Sequence, residues 1–227
     1  KNKDITDSIN YAKVIQRALL PEYSEFQTVF PHSFILFKPK DIVSGDFYFY
    51  SPCNTIQNSV LSATTKTLHR SFLAVADCTG HGVPGALMSM LGFEKLNAAI
   101  ATSSSPSEIL TLVNKSIKTS LRQSENNNST RDGMDIAFLK IEQSISDFKT
   151  TLYYAGANRP LWIIRKEQKV IEEIKATRKG IGGFTDDNQH FNTQVIVLEK
   201  DDTFYIFSDG YVDLFNSNGK KLMTSRF

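Results

Sequence analysis

Residues 72–91 read FLAVADCTGHGVPGALMSML. The first five are all apolar, which is typical of a short strand buried inside a protein. An aspartate and a glycine-rich turn follow, and the segment rich in Ala, Leu and Met from residue 83 to about residue 101 is typical of a helix. The stretch therefore predicts a buried strand, Asp77 at its end, a tight turn and a helix.

The pattern outside this stretch predicts an α+β domain. A helix is expected at residues 4–20, and another begins after Ser105, where serine, proline and Glu108 form a capping signal. Strands are predicted at residues 33–38, 46–50, 71–76, 136–141, 149–155, 161–165, 169–175, 193–198 and 203–207. Strands, then two adjacent helices, then consecutive strands favour antiparallel sheets over alternating βαβ units.

The composition and charge of the chain exclude several classes of protein. The chain has 227 residues, enough to bury a core as one domain, and its formal net charge of +2 argues against an electrostatically driven nucleic-acid binder. No apolar run approaches the roughly 18 residues that a transmembrane helix needs, no signal peptide opens the chain, and two cysteines cannot form a disulfide framework. We therefore expect a cytoplasmic protein, or the cytoplasmic part of a larger, membrane-anchored one.

The N-terminal helix carries an apolar stripe. Its members, three or four residues apart, are Ile5, Ile9, Ala12, Ile15 and Leu19. Pro21 ends the helix. Such a stripe packs either on the helix's own domain or on a second chain, and it is too short to indicate a coiled coil. Both alternatives stay open from the sequence.

Three aspartates stand at predicted strand ends. Asp46 follows a serine and a glycine before an aromatic strand, Asp77 ends an apolar run, and Asp209 ends another. A carboxylate beside an apolar strand is costly to bury unless a positive group meets it, and several together suit a hard divalent cation. Each aspartate taken singly is explained as an ordinary turn residue. Taken together with the Gly-His-Gly turn, they favour a metal site.

The sequence lacks the motifs of other enzymes that act on phosphate groups. Neither cysteine is followed six residues later by arginine, no two aspartates are two residues apart, and neither a P-loop nor an H-E-x-x-H motif occurs. The glycine turn before the helix suits phosphate, and His81 within it is a general acid, a water-positioning group or a plain turn residue. Of the phosphate chemistries considered, metal-assisted hydrolysis without a covalent intermediate is the one that the sequence still allows.

Four motifs together resemble a known family. They are SGDFY at 44–48, ADCTGHGVPGA at 76–86, YAGAN at 154–158 with PL at 160–161, and SDG at 208–210. They resemble the metal-dependent protein phosphatase superfamily (PPM, type 2C) in its bacterial SpoIIE-like branch. The resemblance implies a β-sandwich of two antiparallel sheets flanked by helices. It also implies a linker and dimerisation helix at 1–21 and a phosphatase domain at 30–227 that lacks the family's final helix and strand.

The resemblance also implies a centre of two Mn²⁺ or Mg²⁺ ions. Asp46 would bridge both ions, Asp77 and the backbone carbonyl of Cys78 would bind one, and Asp209 the other. Asp132 or Asp135 would serve a third, weaker metal, unless they only form a turn entering a strand. His81, Lys38 and Asn158 are candidate contacts to the substrate phosphate or leaving group; the alternatives are a turn, a solvated lysine and a hairpin.

The implied function is a protein serine/threonine phosphatase. A metal-activated water would hydrolyse phosphoserine or phosphothreonine of a regulatory protein, such as an anti-sigma-factor antagonist, under control of an upstream sensor and in a homodimer paired through the N-terminal helix. Phe49 stands where many relatives have a second acid, and we predict that it is a core residue. The alternatives are a non-catalytic signalling module with this fold and a hydrolase of small phosphoesters.

Overall fold

The computed structural model describes residues 2–57, 67–123, 130–144, 149–168, 170–210 and 213. Its elements are α1 (Asn2–Leu19), α2 (Tyr23–Val29), β1 (Phe47–Gln57), β2 (Thr67–Cys78), α3 (Gly82–Thr102), α4 (Pro106–Ser120), β3 (Gly133–Ser144), β4 (Thr150–Ala157), β5 (Leu161–Ile164), β6 (Ile171–Ile174), β7 (Ile181–Gly182), β8 (Gln194–Leu198) and β9 (Thr203–Tyr205). No helix within these ranges is long and apolar enough to cross a membrane.

The strands form two antiparallel sheets, as predicted. The larger sheet has the order β1-β2-β3-β4-β8, and β7 pairs with the start of β3 beyond the end of β4. The smaller sheet has the order β6-β5-β9. In the larger sheet, α3 and α4 separate the neighbours β2 and β3 in the chain, and β5 to β7 separate β4 from β8. The predicted α+β class is therefore confirmed.

Two cores separate three layers. The core shared by the larger sheet, α3 and α4 includes Phe49, Phe72, Leu96, Ile109 and Phe138. The core shared by the two sheets includes Leu73, Leu139, Tyr154, Leu161 and Ile163. Successive residues of a strand point to opposite faces, so β2 supplies both cores and its continuous apolar run is explained. Phe49 is fully buried, which confirms its prediction as a core residue, and Trp162 is also buried.

Two segments differ from the predictions made from sequence. Residues 33–38 form no strand; Ile35 packs against the core between the sheets and Phe34 is exposed, so alternation arises there without strand pairing. The sequence predicts no strand at residues 180–183, yet this glycine-rich segment contains β7, where buried Ile181 pairs with Met134. The short helix α2 was not predicted.

The first helix is confirmed, but its docked face is not the predicted stripe. Gln16 is the buried residue of α1, whereas Ile5, Ile15 and Leu19 are exposed. Leu20, directly after the helix, packs against the core beneath α3. The helix therefore contacts its own domain through a polar side chain and presents most of its apolar stripe to solvent. The prediction of a missing final helix and strand concerns residues after 213, outside the described part.

Candidate metal centre

Strand register brings four aspartates to one end of the sandwich. Asp77 is the register partner of Asp135 across β2 and β3. Asp46 directly precedes β1, whose first residue, Phe47, pairs with the neighbour of Asp77, so these two carboxylates meet at the same sheet end. Asp209 arrives from the smaller sheet, and the preceding Ser208 donates a hydrogen bond from Oγ to Asp46 Oδ2 at 2.6 Å. Both sheets thus contribute to one acidic cluster.

Arg159 lies within this cluster. Its Nη2 donates to Asp77 Oδ2 and to Asp209 Oδ2, each at 2.7 Å, and lies 3.5 Å from Asp135 Oδ2. Burial opposes the charged form, yet the hydrogen bond and charge of Asp209, together with the charges of Asp77 and Asp135, raise the pKa of Arg159. The guanidinium Nε is buried and has no hydrogen-bond partner. The arginine is the counter-ion of the cluster.

One guanidinium does not balance the negative charge. Burial, and then repulsion from Asp46 and Asp209, raise the pKa of Asp77 to about 8, although Arg159 acts in the opposite direction. Burial is the larger cause, but the repulsions from Asp46 and from Asp209 each exceed the attraction of Arg159. The cluster is thus electrostatically prepared for further positive charge.

The donor set fits Mn²⁺ or Mg²⁺ in its chemistry. Both are hard cations that prefer carboxylate and carbonyl oxygens. The four aspartates supply such oxygens at a place where the positive charge of one guanidinium does not balance them. Across the described ranges, however, no three His, Cys, Asp or Glu side chains stand in an arrangement that would hold an ion as they are. The Nη2 of Arg159 donates hydrogen bonds to oxygens of both Asp77 and Asp209.

Glycines let the two acidic turns approach each other. A Cβ added to Gly45 would lie 2.6 Å from the carbonyl oxygen of Gly80 and 3.3 Å from that of Cys78. Gly80 has φ +87°, a conformation that glycine adopts without strain. The carbonyl of Cys78 therefore faces the turn before Asp46. The Cys78 thiol is buried, and burial raises its pKa, so it remains protonated.

The comparisons with known proteins agree with this architecture. The family model for Stage II sporulation protein E (SpoIIE) matches residues 68–226. The chain belongs to the SpoIIE family. Among solved structures, this SpoIIE-family chain is similar to the SiaA-PP2C domain of Pseudomonas aeruginosa, with 30% identity over 99% of this chain and 80% of that one and a TM-score of 0.76.

A more distant likeness shows the fold alone. RsbX, solved in complex with magnesium, is 17% identical, with 78% of this chain and 72% of that one covered and a TM-score of 0.51. A search of curated proteins gave no match. The resemblance drawn from the four motifs is therefore confirmed at the level of family and fold.

Two further predicted site residues, Asn158 and Asp132, differ in whether they contact the cluster of four aspartates. Asn158, with φ +59°, donates from Nδ2 to Asp135 Oδ1 at 2.8 Å and so orients that carboxylate. Asp132 accepts a hydrogen bond from Gln123 through its backbone carbonyl, and the structure records no contact of its carboxylate with the other aspartates. Of the two candidates for a third metal, Asp135 is the one in the cluster.

Neither His81 nor Lys38 makes a recorded contact with the four carboxylates. His81 precedes α3, is largely exposed, and its Nδ1 lies 2.9 Å from Asp41 Oδ2. Lys38 is exposed on the irregular segment 33–38. Their predicted roles at the phosphate stay predictions.

A polar cleft of about 340 Å³ adjoins the cluster. Its lining residues include Asp77, Asp135 and Arg159 of the cluster, together with Arg131, Phe184 and Thr185. The Arg131 guanidinium lies 4.3 Å from the centre of the Phe184 ring. An exposed cation and an exposed aromatic ring therefore border the approach to the carboxylates.

The sequence places Arg159 beside Asn158, where it either shapes the site or forms a hairpin turn, and it does not predict that Arg159 is the counter-ion of the cluster. The motif around residues 154–158 ends one residue before it, and an Asn-Arg-Pro sequence after a strand is typical of a turn. A cluster of predicted buried carboxylates requires a positive partner, so the sequence indicates that a lysine or arginine lies near them. The sequence did not say which of its 26 lysines and arginines would supply it.

Proposed function

We propose that this SpoIIE-family domain is a metal-dependent protein serine/threonine phosphatase. The observation that carries the proposal is the convergence of Asp46, Asp77, Asp135 and Asp209 beside one guanidinium, with the pKa of Asp77 raised to about 8. Family membership supports the same reaction class. A cluster of this charge has no evident structural purpose, because burying like charges destabilises the fold.

The chain's own residues take defined roles in this proposal. Asp46, Asp77 and Asp209, with the carbonyl of Cys78, would hold two Mn²⁺ or Mg²⁺ ions, and Asp135 would serve a third. When bound, such ions lower the pKa of a water and offset charge on the phosphoryl oxygens. Ser208 and Asn158 orient two of the carboxylates through the hydrogen bonds described above.

The proposed substrate is a phosphorylated regulatory protein, such as an anti-sigma-factor antagonist. The cleft beside the cluster supports a peptide substrate, since Arg131 and Phe184 offer a cation and an apolar ring to a chain entering it. A fold likeness to a protein described as part of the bacterial stressosome, a modular signalling system, also agrees with a regulatory setting.

Control through α1 is part of the proposal. Gln16 donates from Nε2 to the Ser44 carbonyl at 2.6 Å and accepts from the Ser44 N–H at 3.0 Å. Ser44 Oγ in turn accepts from the Asp46 N–H at 3.1 Å. A movement of α1, imposed by an upstream sensor, would thus reach a metal-binding aspartate in two steps. The exposed residues of α1 would pair with a second chain.

Hydrolysis of a phosphoserine peptide, with Mn²⁺ and with chelator, tests the function. Asp77→Asn should lower kcat/KM at least about 100-fold because it removes a metal ligand, whereas Asp186→Asn, a matched change at an exposed turn, should leave it unchanged. Absence of Mn²⁺-dependent turnover in the folded protein would contradict the proposal and support the non-catalytic signalling module. A preference for small aryl phosphates over the peptide would support the small-phosphoester hydrolase.

A further inference from the structure

We propose that Arg159 competes with the metal for the carboxylates of Asp77 and Asp209 and thereby sets the metal concentration at which the centre fills. The inference rests on the proposed metal centre, and it concerns this chain's own arginine. It makes Arg159 a positioning residue: it acts on the metal ligands, and through them on the reaction.

The competition is for particular atoms. Arg159 Nη2 is within 2.7 Å of Asp77 Oδ2 and of Asp209 Oδ2, so both oxygens are engaged in charge-assisted hydrogen bonds. A Mg²⁺ ion held by the same oxygens would lie about 2.1 Å from each. A guanidinium nitrogen and an ion cannot occupy that space together, and their positive charges repel each other. Metal binding through these two oxygens therefore requires the guanidinium to move.

The backbone of Arg159 is held by contacts that do not involve its guanidinium. The buried Tyr154 hydroxyl donates to the Arg159 carbonyl at 2.5 Å, and the Arg159 N–H donates to the Ala157 carbonyl at 2.8 Å. An added Cβ on Gly156 would lie 2.6 Å from the same Arg159 carbonyl, so the turn is tightly packed. Displacement is thus a side-chain rotation about a fixed point, and it leaves the turn intact.

Two features make that displacement accessible. Nε of Arg159 is buried without a hydrogen-bond partner, which makes its present position less favourable than the two ion pairs alone suggest. Asp135 Oδ2, 3.5 Å from Nη2, offers the guanidinium an alternative carboxylate once the metal has taken Asp77 and Asp209. The arginine then remains paired in both arrangements as long as Asp135 holds no third ion.

Calorimetric titration of chelator-treated protein with Mn²⁺ tests the competition without any turnover. Arg159→Met removes the competing charge at similar side-chain length, and we expect its Kd for Mn²⁺ to fall about tenfold or more, as for the loss of at least one charged hydrogen bond. Arg159→Lys keeps a charge without the planar fork and should lie between. Arg165→Met is the matched control, because Arg165 also bridges two carboxylates, Glu172 and Asp202, outside the cluster; its Kd should not change.

Thermal unfolding supplies the second readout. In chelator, Arg159→Met should melt below the parent because the four aspartates lose their counter-ion, and Mn²⁺ should raise its melting temperature by more than it raises that of the parent. Arg159→Lys covers the case in which the methionine variant does not fold without metal.

Several outcomes would overturn the competition. They are an unchanged or weaker Mn²⁺ affinity in Arg159→Met, and an absence of Mn²⁺ binding in every variant. An unchanged Kd with a raised KM for phosphopeptide would make the arginine a substrate contact instead. An absence of Mn²⁺ binding in every variant would also remove the proposed metal centre. The Kd comparison is otherwise distinct from failure of the proposed function, because a non-catalytic domain that binds Mn²⁺ would still show the shift in Kd, and an active phosphatase without the shift would refute the role of Arg159 alone.

Discussion

Replacing Gln16 by methionine should weaken both the fold and the metal centre. Gln16 is 7% exposed on an otherwise largely exposed helix, and its side-chain amide makes hydrogen bonds with both backbone groups of Ser44 and with Ser89 Oγ. Methionine has a similar length but no amide. The substitution therefore removes the hydrogen bonds while it preserves most of the packing.

The expected size of the effect follows from those contacts. Three buried hydrogen bonds are lost, at distances of 2.6, 2.8 and 3.0 Å, and each contributes about 1 kcal/mol. The Ser44 carbonyl keeps the hydroxyl of Ser89 at 3.2 Å, whereas the Ser44 N–H loses its acceptor. An unsatisfied buried N–H adds to the cost, and the apolar methionine offsets part of it. The free energy of unfolding should fall by about 2–4 kcal/mol.

Urea unfolding in chelator measures the stability, and calorimetry with Mn²⁺ measures the metal centre. Because Gln16 holds the backbone two residues before Asp46, we expect Mn²⁺ affinity to fall about tenfold, as for other residues that orient metal ligands. Gln168→Met, the same change at an exposed position outside α1, is the control and should change the unfolding free energy by less than about 0.5 kcal/mol.

Two results would refute this reasoning at different steps. An unfolding free energy of Gln16→Met within about 0.5 kcal/mol of the parent would show that the buried amide does not hold α1 on the domain. A destabilised variant with unchanged Mn²⁺ affinity would show that α1 docks through Gln16 without any influence on Asp46. The second result would remove the structural support for control through the helix.

Three further changes test the cluster and its turns. In chelator, the pKa of Asp77 is about 8 in the folded state, against an ordinary 3.8. Asp77 therefore ionises in the unfolded chain before it ionises in the folded protein, and the parent should lose stability as pH rises from about 4 to about 8. Asp77→Asn should lose less over that window in urea unfolding, and equal slopes would contradict the raised pKa. Gly45→Ala should lower stability by about 1–3 kcal/mol, because its Cβ would meet the Gly80 carbonyl at 2.6 Å; an unchanged melting temperature would show that the turns separate freely. Tyr154→Phe should cost about 1–3 kcal/mol by leaving the Arg159 carbonyl without its donor, and a melting temperature equal to the parent's would mean that another donor takes its place.

Local patterns predicted most of the secondary structure. The apolar run 72–76, the glycine turn and the helix after it lie in β2, the turn and α3 as expected. A continuous apolar run or a 3.6-residue apolar period predicts a strand or a helix because it reflects which faces of the element are buried. The segment 33–38 shows the limit of this inference, since alternating exposure also results when a chain packs one side on a core without pairing to a strand.

The sequence by itself determined the family, the antiparallel α+β fold and the three strand-end aspartates, Asp46, Asp77 and Asp209, because strand ends and glycine turns are written in contiguous residues. Their role as metal ligands stays a prediction. Only the tertiary structure decided that Arg159 enters the cluster and that Gln16 holds α1 against the turn before Asp46. Both contacts join residues far apart in the chain, 82 positions for Arg159 and Asp77 and 28 for Gln16 and Ser44. A side chain's partner at such separations depends on how the layers pack, and no local pattern records it.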